Sequence, residues 1–210
     1  MRAARPGRGT KTKVNGALSL AILAGGNSQR FGEDKALAQL HGKPLLAHVL
    51  ERTAGLAAET FIVTNRPAAY EQFNQRLVGD LLPGRGVLGG LYTALHYATL
   101  PWLLVLGCDM PLVNRALLEY MLSLTSGVEG VVPSLEGLPE PLHALWFKTC
   151  LGPVREALDR GDRRVVSFLP SVRVRYVSRA EVEAFDPEHL SFLNVNTPDQ
   201  LAEIAKRLAG

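Results

Sequence analysis

An apolar run over residues 17–23 stops abruptly at Ala24-Gly25-Gly26, and that break constrains the rest of the chain. The run is too short for a core helix and fits a buried strand. Adjacent glycines permit positive φ and let a ligand approach bare backbone. Successive N–H groups in such a loop form an anion-binding concavity. Arg30, Gly32 and Lys35 follow within ten residues, so spaced cations stand just beyond the turn. A strand, a glycine turn and then cations make a seat for a triphosphate. A plain surface turn would need neither Arg30 nor Lys35 at this spacing. The familiar phosphate loop is excluded, because Gly32 is followed by Glu33 and Gly42-Lys43 by Pro44, where that motif needs Gly-Lys-Ser/Thr.

Downstream, the pattern alternates between helix and strand periods. Leu45, Leu46, Val49, Leu50, Thr53 and Leu56 recur at helical spacing after Pro44, which suits a first helical position. Residues 60–64 form a short β-branched strand. Strand, helix and strand within about 45 residues make a right-handed parallel βαβ unit. Asn65 closes its second strand, at the edge where open α/β sheets place ligand groups. A short helix is expected over 70–73 and a strand over 76–78, leading to Asp80. Residues 102–107, Trp-Leu-Leu-Val-Leu-Gly, give the clearest buried strand. Asp109 lies just past it, on the ligand side of such a sheet. Asn114 is better placed than Asp109 to cap the helix over 114–124. Strands are expected over 130–133 and 172–177, and a helix over 150–159. The segment 139–147 turns from Pro-rich to apolar and suits a rim and an added strand over the site. Thr197, Pro198 and Gln200 spell a capping box for the last helix.

Gly84-x-Gly86-x-x-Gly89 matches a dinucleotide fingerprint, with Asp109 about 20 residues on. That fingerprint belongs directly after a long buried strand. Here residues 79–83 precede it, and Pro83 disfavours a central strand. A helix is expected from Leu91, after this glycine loop, and the loop's N–H groups could still meet an anion.

Composition bounds the remaining classes. The chain has 210 residues and a net charge of +3, from 23 basic and 20 acidic residues. Arg2, Arg5, Arg8, Lys11 and Lys13 lie in the first 15 residues, and the remaining body is slightly acidic. A nucleic-acid surface is therefore not expected. Residues 1–15 read as a disordered basic tail. The basic start and apolar 17–23 imitate a secretory signal. Cleavage there would remove the strand that carries the glycine turn, so that reading is rejected. No run approaches the ~20 apolar residues of a membrane span. Cys108 and Cys150 lack zinc-site spacing and suggest a reducing compartment. The expectation is one cytoplasmic domain over 16–210, a three-layer α/β/α sandwich with a mainly parallel sheet.

Leu23-Ala-Gly-Gly-x-Ser-x-Arg-Phe-Gly-x-Asp-Lys35 resembles the signature of the MobA-like nucleotidyltransferases that build the dinucleotide form of the molybdenum cofactor, and the guanylyltransferases among them most of all. Cys108-Asp-Met-Pro111, Pro141-Leu-His-Ala144, Arg163-Arg-Val165 and Asn194-Val-Asn-Thr-Pro198 join the resemblance. It implies the Rossmann-like nucleotidyltransferase fold and transfer of GMP from GTP to the terminal phosphate of molybdopterin or its molybdenum-loaded form. It implies magnesium held by Asp109, Lys35 on the α-phosphate and Arg30 on the leaving phosphates. The backbone of Leu23, Ala24, Gly25 and Gly26 would hold base and ribose. Asp80 would read guanine through its two adjacent donors, unless it is only a turn aspartate. Arg163, Arg164, Asn194 and Asn196 would face the acceptor. His143 is expected to be structural, because phosphoryl transfer needs positioning more than a base. Proteins that load molybdopterin or receive the product would be partners. A CTP-using molybdopterin cytidylyltransferase, a sugar-phosphate nucleotidyltransferase, an NAD-binding oxidoreductase and a non-catalytic nucleotide-binding module remain the alternatives.

Overall fold

The computed structural model describes residues 17–25 and 34–209. The expectations for the tail, Gly26 and Arg30 fall outside those residues. In chain order the strands are β1 Leu18–Leu23, β2 Gln39–Leu40, β3 Lys43–Pro44, β4 Glu59–Val63, β5 Arg76–Val78, β6 Trp102–Gly107, β7 Gly130–Leu135, β8 Leu138–Pro139, β9 His143–Phe147 and β10 Val174–Val177. The α-helices are α1 Leu45–Arg52, α2 Gly86–Tyr97, α3 Arg115–Ser123, α4 Leu151–Asp159, α5 Arg179–Glu183 and α6 Pro198–Ala209.

The main sheet runs β10-β7-β9-β6-β1-β4-β5, with β8 paired to β7. β1 lies parallel to both β4 and β6, and β5 parallel to β4. β9 is antiparallel to β6 and to β7. The sheet is therefore mainly parallel. β1 and β6 are central and covered on both faces, so they read as unbroken apolar runs.

Side-chain alternation divides the interior into two layers. Leu18, Leu20 and Ile22 of β1 pack on one face with Leu46 and Val49 of α1 and Leu117 and Met121 of α3. Ala21 of β1, Phe61 of β4 and Val105 of β6 pack on the other with Leu91 and Leu95 of α2 and Val154 of α4. This is the expected three-layer sandwich. A smaller cluster joins Ala38, Leu40, Leu45, Leu112, Val195 and Ile204, and it seats α6 beside the β2–β3 hairpin.

Three local expectations change. α2 begins at Gly86 and not at Leu91, so Gly86, Gly89 and Gly90 are helical. Close packing requires two of them. A Cβ on Gly89 would lie 2.9 Å from the Arg85 Cβ, and one on Gly90 would lie 3.3 Å from Leu23 Cδ1. Within the fingerprint, Gly89 thus serves packing against Arg85 and Leu82, and residues 79–83 separate the match from the short β5. β9 is not laid over the site but inserted in the sheet, because Ala144, Leu145 and Trp146 are buried and need cover on both faces. α1 stops at Arg52, short of Leu56, and Pro44 stands at its N-cap and not inside it.

Candidate active site

The C-terminal ends of β1, β4, β5 and β6 open on one side of the sheet. The ladder continues one residue beyond β1, β4 and β6. Ala24 N–H donates to the Val63 carbonyl at 2.9 Å, Thr64 N–H to Val78 at 2.9 Å, and Cys108 N–H to Leu23 at 3.2 Å. The loop starts are thereby fixed in the sheet plane. They surround a cleft of about 1040 Å³ whose lining includes Leu23, Ala24, Gly25, Asn65, Asp80 and Asp109. The first turn of α2 contributes Gly86 and Val87 to it.

Lys35 enters this cleft from a single 3-10 turn, Lys35–Leu37. Asp34 caps the turn by accepting from Ala36 N–H at 3.2 Å. Its other oxygen accepts from the Tyr70 hydroxyl at 2.7 Å and pairs with Arg66. Tyr70 is fully buried, and burial first, then its bond to Asp34, push its phenol well above the ordinary value. A protonated phenol is a fixed donor, so Asp34 is anchored from beneath. Sequence reasoning gave Asp34 no role of its own, although it stands in the signature just before Lys35.

The Lys35 ammonium donates to Asp109 Oδ2 at 2.6 Å and to Asn196 Oδ1 at 2.9 Å. Side chains predicted from three distant segments therefore meet. Asp109 follows Gly107, where an added Cβ would fall 2.5 Å from Asp109 Oδ1, so the glycine makes room for the carboxylate. The Asp109 carbonyl accepts from Val195 N–H at 3.0 Å, which ties the C-terminal segment to the end of β6. Asn196 N–H donates to Gln200 Oε1 at 2.7 Å, while Gln200 N–H donates to Thr197 Oγ1 at 3.2 Å. The cap thus reaches one residue further back than the expected box and holds Asn196 in place. Among the described residues, no group of three or more His, Cys, Asp or Glu side chains is placed to hold a metal ion. Asp109 is the acidic side chain at the junction.

Asp80 makes the turn expected of an aspartate here, and it lines the larger cleft. Its Oδ1 accepts from Leu82 N–H at 3.0 Å, an Asx turn. The same oxygen lies 2.8 Å from the Thr93 hydroxyl. Thr93 is fully buried in α2 and accepts from Leu81 N–H at 3.0 Å. Asn65 Oδ1 accepts from Asp80 N–H at 2.9 Å, so Asn65 positions Asp80. Oδ2 makes no hydrogen bond among the described residues. Two donors already approach Oδ1, from Leu82 and Thr93. Thr93 was missed because a threonine within an apolar helix carries no sequence signal of this kind.

A second cleft of about 570 Å³ adjoins the first, and Val87, Asp109 and Leu142 line both. Arg163, Arg164, Asn194 and Asn196 line it with Glu140. Glu140 was not singled out from sequence. His143 lies apart from both clefts, fully buried on β9 with its ring 4.7 Å from that of Phe192. Neither ring nitrogen has a hydrogen-bond partner among the described residues. Burial lowers its pKa to about 4, against a smaller opposing pull from Asp186. A neutral, enclosed imidazole cannot serve the clefts as a base. Cys108 and Cys150 are free and buried.

The description "MobA-like NTP transferase domain" matches residues 20–175. A protein of Pelotomaculum thermopropionicum named "Probable molybdenum cofactor guanylyltransferase" is 35% identical over 186 residues, covering 87% of this chain and 89% of its own. A molybdenum cofactor guanylyltransferase of Syntrophotalea carbinolica is 32% identical over 181 residues, covering 85% and 86%. The crystal structure of molybdopterin-guanine dinucleotide biosynthesis protein A from Archaeoglobus fulgidus superposes with a TM-score of 0.78 at 28% identity, covering 91% of this chain and 98% of its own.

Proposed function

The chain belongs to the MobA-like NTP transferase family, and from that premise we propose that it transfers GMP from GTP to the terminal phosphate of molybdopterin, or of its molybdenum-loaded form, with release of pyrophosphate. An acceptor phosphate oxygen attacks the α-phosphorus of GTP. The bond from that phosphorus to the bridging oxygen breaks, and pyrophosphate leaves with its electron pair. The attacking oxygen is already anionic, so no strong base is required. In-line placement and neutralisation of phosphate charge carry the reaction.

One observation carries the reading: Lys35, Asp109 and Asn196 touch where the two clefts adjoin. The larger cleft is the GTP site and the smaller the acceptor site. Lys35 directs its charge at the α-phosphate, where charge shifts during transfer. Asp80 Oδ2 accepts the N1–H and 2-amino donors of guanine. Arg163, Arg164, Asn194 and Asn196 face the acceptor, and Arg30 the leaving phosphates. A divalent cation, magnesium by preference, fits Asp109, because that ion takes one or two carboxylates with phosphate oxygens and water. When bound, it adds positive charge at the phosphates. All this lies in one domain over 16–210, working in the cytoplasm alongside proteins that load molybdopterin or accept the product. Among the described residues no helix is long and apolar enough to cross a membrane.

The test is pyrophosphate release with GTP, CTP and ATP, with and without molybdopterin. Release that needs GTP and molybdopterin together supports the reading. Preference for CTP replaces it with cytidylyl transfer, and release without molybdopterin in the presence of a sugar phosphate replaces the acceptor.

A further inference from the structure

We propose that Glu140 reads the 2-amino-4-oxo edge of the acceptor's pterin ring, an assignment that rests on the transfer reading above. The smaller cleft has apolar walls, including Val87, Val166, Leu142 and Pro141, which suit the faces of a flat ring. Its charged lining is Asp109 at the junction, Arg163, Arg164 and Glu140. The arginines match an anionic tail and leave the carboxylate to be explained.

Glu140 stands on a pinned backbone. Its N–H donates to the Pro133 carbonyl at 2.8 Å, and its carbonyl accepts from His143 N–H at 3.0 Å. The next carbonyl, of Pro141, accepts from Trp146 Nε1 at 3.4 Å. A side chain on such a wall is presented in advance of binding. Its carboxylate is partly buried and makes no side-chain hydrogen bond or ion pair among the described residues. Desolvation raises its pKa, and no other cause contributes. It has therefore given up water without gaining a donor, which is costly for an anion. An ionised carboxylate only accepts. The ligand that restores the loss must bring N–H donors, best as an adjacent pair. A pterin offers that pair in N3–H and its 2-amino group. Neither Arg163 nor Arg164 is within ion-pair distance of Glu140, so no described residue fills that place.

Fluorescence titration with pterin-6-carboxylate and lumazine-6-carboxylate tests this. Lumazine keeps the ring but replaces the 2-amino donor with an oxo acceptor. The unaltered protein should bind the pterin more tightly by about tenfold or more, as for a charge-assisted hydrogen bond. Glutamine offers one donor and one acceptor, so Glu140→Gln should erase or invert that ratio, and Glu140→Asp should keep its direction. Equal affinity of the unaltered protein for the two rings overturns the assignment without any variant. An unchanged ratio in a folded Glu140→Gln protein overturns it as well. Molybdopterin-dependent pyrophosphate release from GTP is measured beside it. If release occurs but the ratio does not respond, only the Glu140 assignment fails. If the unaltered protein shows no release, the transfer reading fails and takes the assignment with it.

Discussion

The ammonium of Lys35 and the carboxylate of Asp109 lie 2.6 Å apart across 74 residues of sequence, each side chain less than one-fifth exposed. The strand order explains the meeting. β6 runs beside β1, and the 3-10 turn after β1 returns to the end of its neighbour. In the proposed reaction the pair must loosen when phosphates enter, so Lys35 is held ready without being spent on the fold.

Lys35→Ala should slow turnover by about 10²-fold or more while weakening GTP binding much less, as for other groups aimed at transition-state charge. Single-turnover rates and equilibrium GTP titration separate the two effects. A normal rate in a folded variant would remove Lys35 from the mechanism.

Asp109→Asn should lose most activity and its response to divalent cation, yet melt near the parent's temperature. Asp109 stands at the end of β6 and is not fully buried, and the asparagine keeps its shape and its backbone bond to Val195. Titrating magnesium against turnover decides the point. Normal activity at low magnesium assigns the ion elsewhere.

Asp80→Ala should shrink the preference for GTP over ATP more than it slows residual turnover. Thr93→Val should act in the same direction but less, because the carboxylate loses a donor that orients it while Leu82 N–H remains. It should also destabilise the protein by about 1–3 kcal/mol, since Leu81 N–H loses its buried acceptor. Thr93→Ser should restore both. Competition of ATP against GTP is the measurement, and a ratio unmoved by Asp80→Ala removes the base-reading role.

His143 gives the protein an acid-sensitive core. Its pKa is near 6.5 when exposed and about 4 in the fold. Between those values the unfolded chain binds the extra proton, so stability falls as pH drops from 6.5 toward 4 and is level above. The loss should be of order 2 kcal/mol by pH 5. His143→Phe should flatten that slope and spare turnover at pH 7. Urea melts at pH 7 and pH 5 check it, and equal slopes would refute the cause.

Much of this was legible because chemistry and burial left separate marks. β1 and β6 are apolar on both faces and could be little else than central strands. Asn114 was read as a cap, and its side chain does accept from Leu117 N–H at 3.1 Å. The start of α2 was hidden because Gly86, Gly89 and Gly90 have low helix propensity, and packing against Leu23 and Arg85 overrode it. Asp80 and Asp109 were singled out because each follows a strand, and Lys35 because it is spaced behind the glycine turn. Thr93 and Glu140 were missed because their roles depend on what lies across space, in one case a carboxylate and in the other an absence of donors.

Val195 is fully buried in the cluster that also holds Ala38, three residues beyond Lys35. The seat of α6 and the footing of Lys35 are one and the same. A protease that nicked the chain after Phe192 would leave the main sheet intact, since its last strand ends at Val177. Circular dichroism would register little. The wound would appear as chemistry, a protein that still holds its shape but has lost the ground under its lysine.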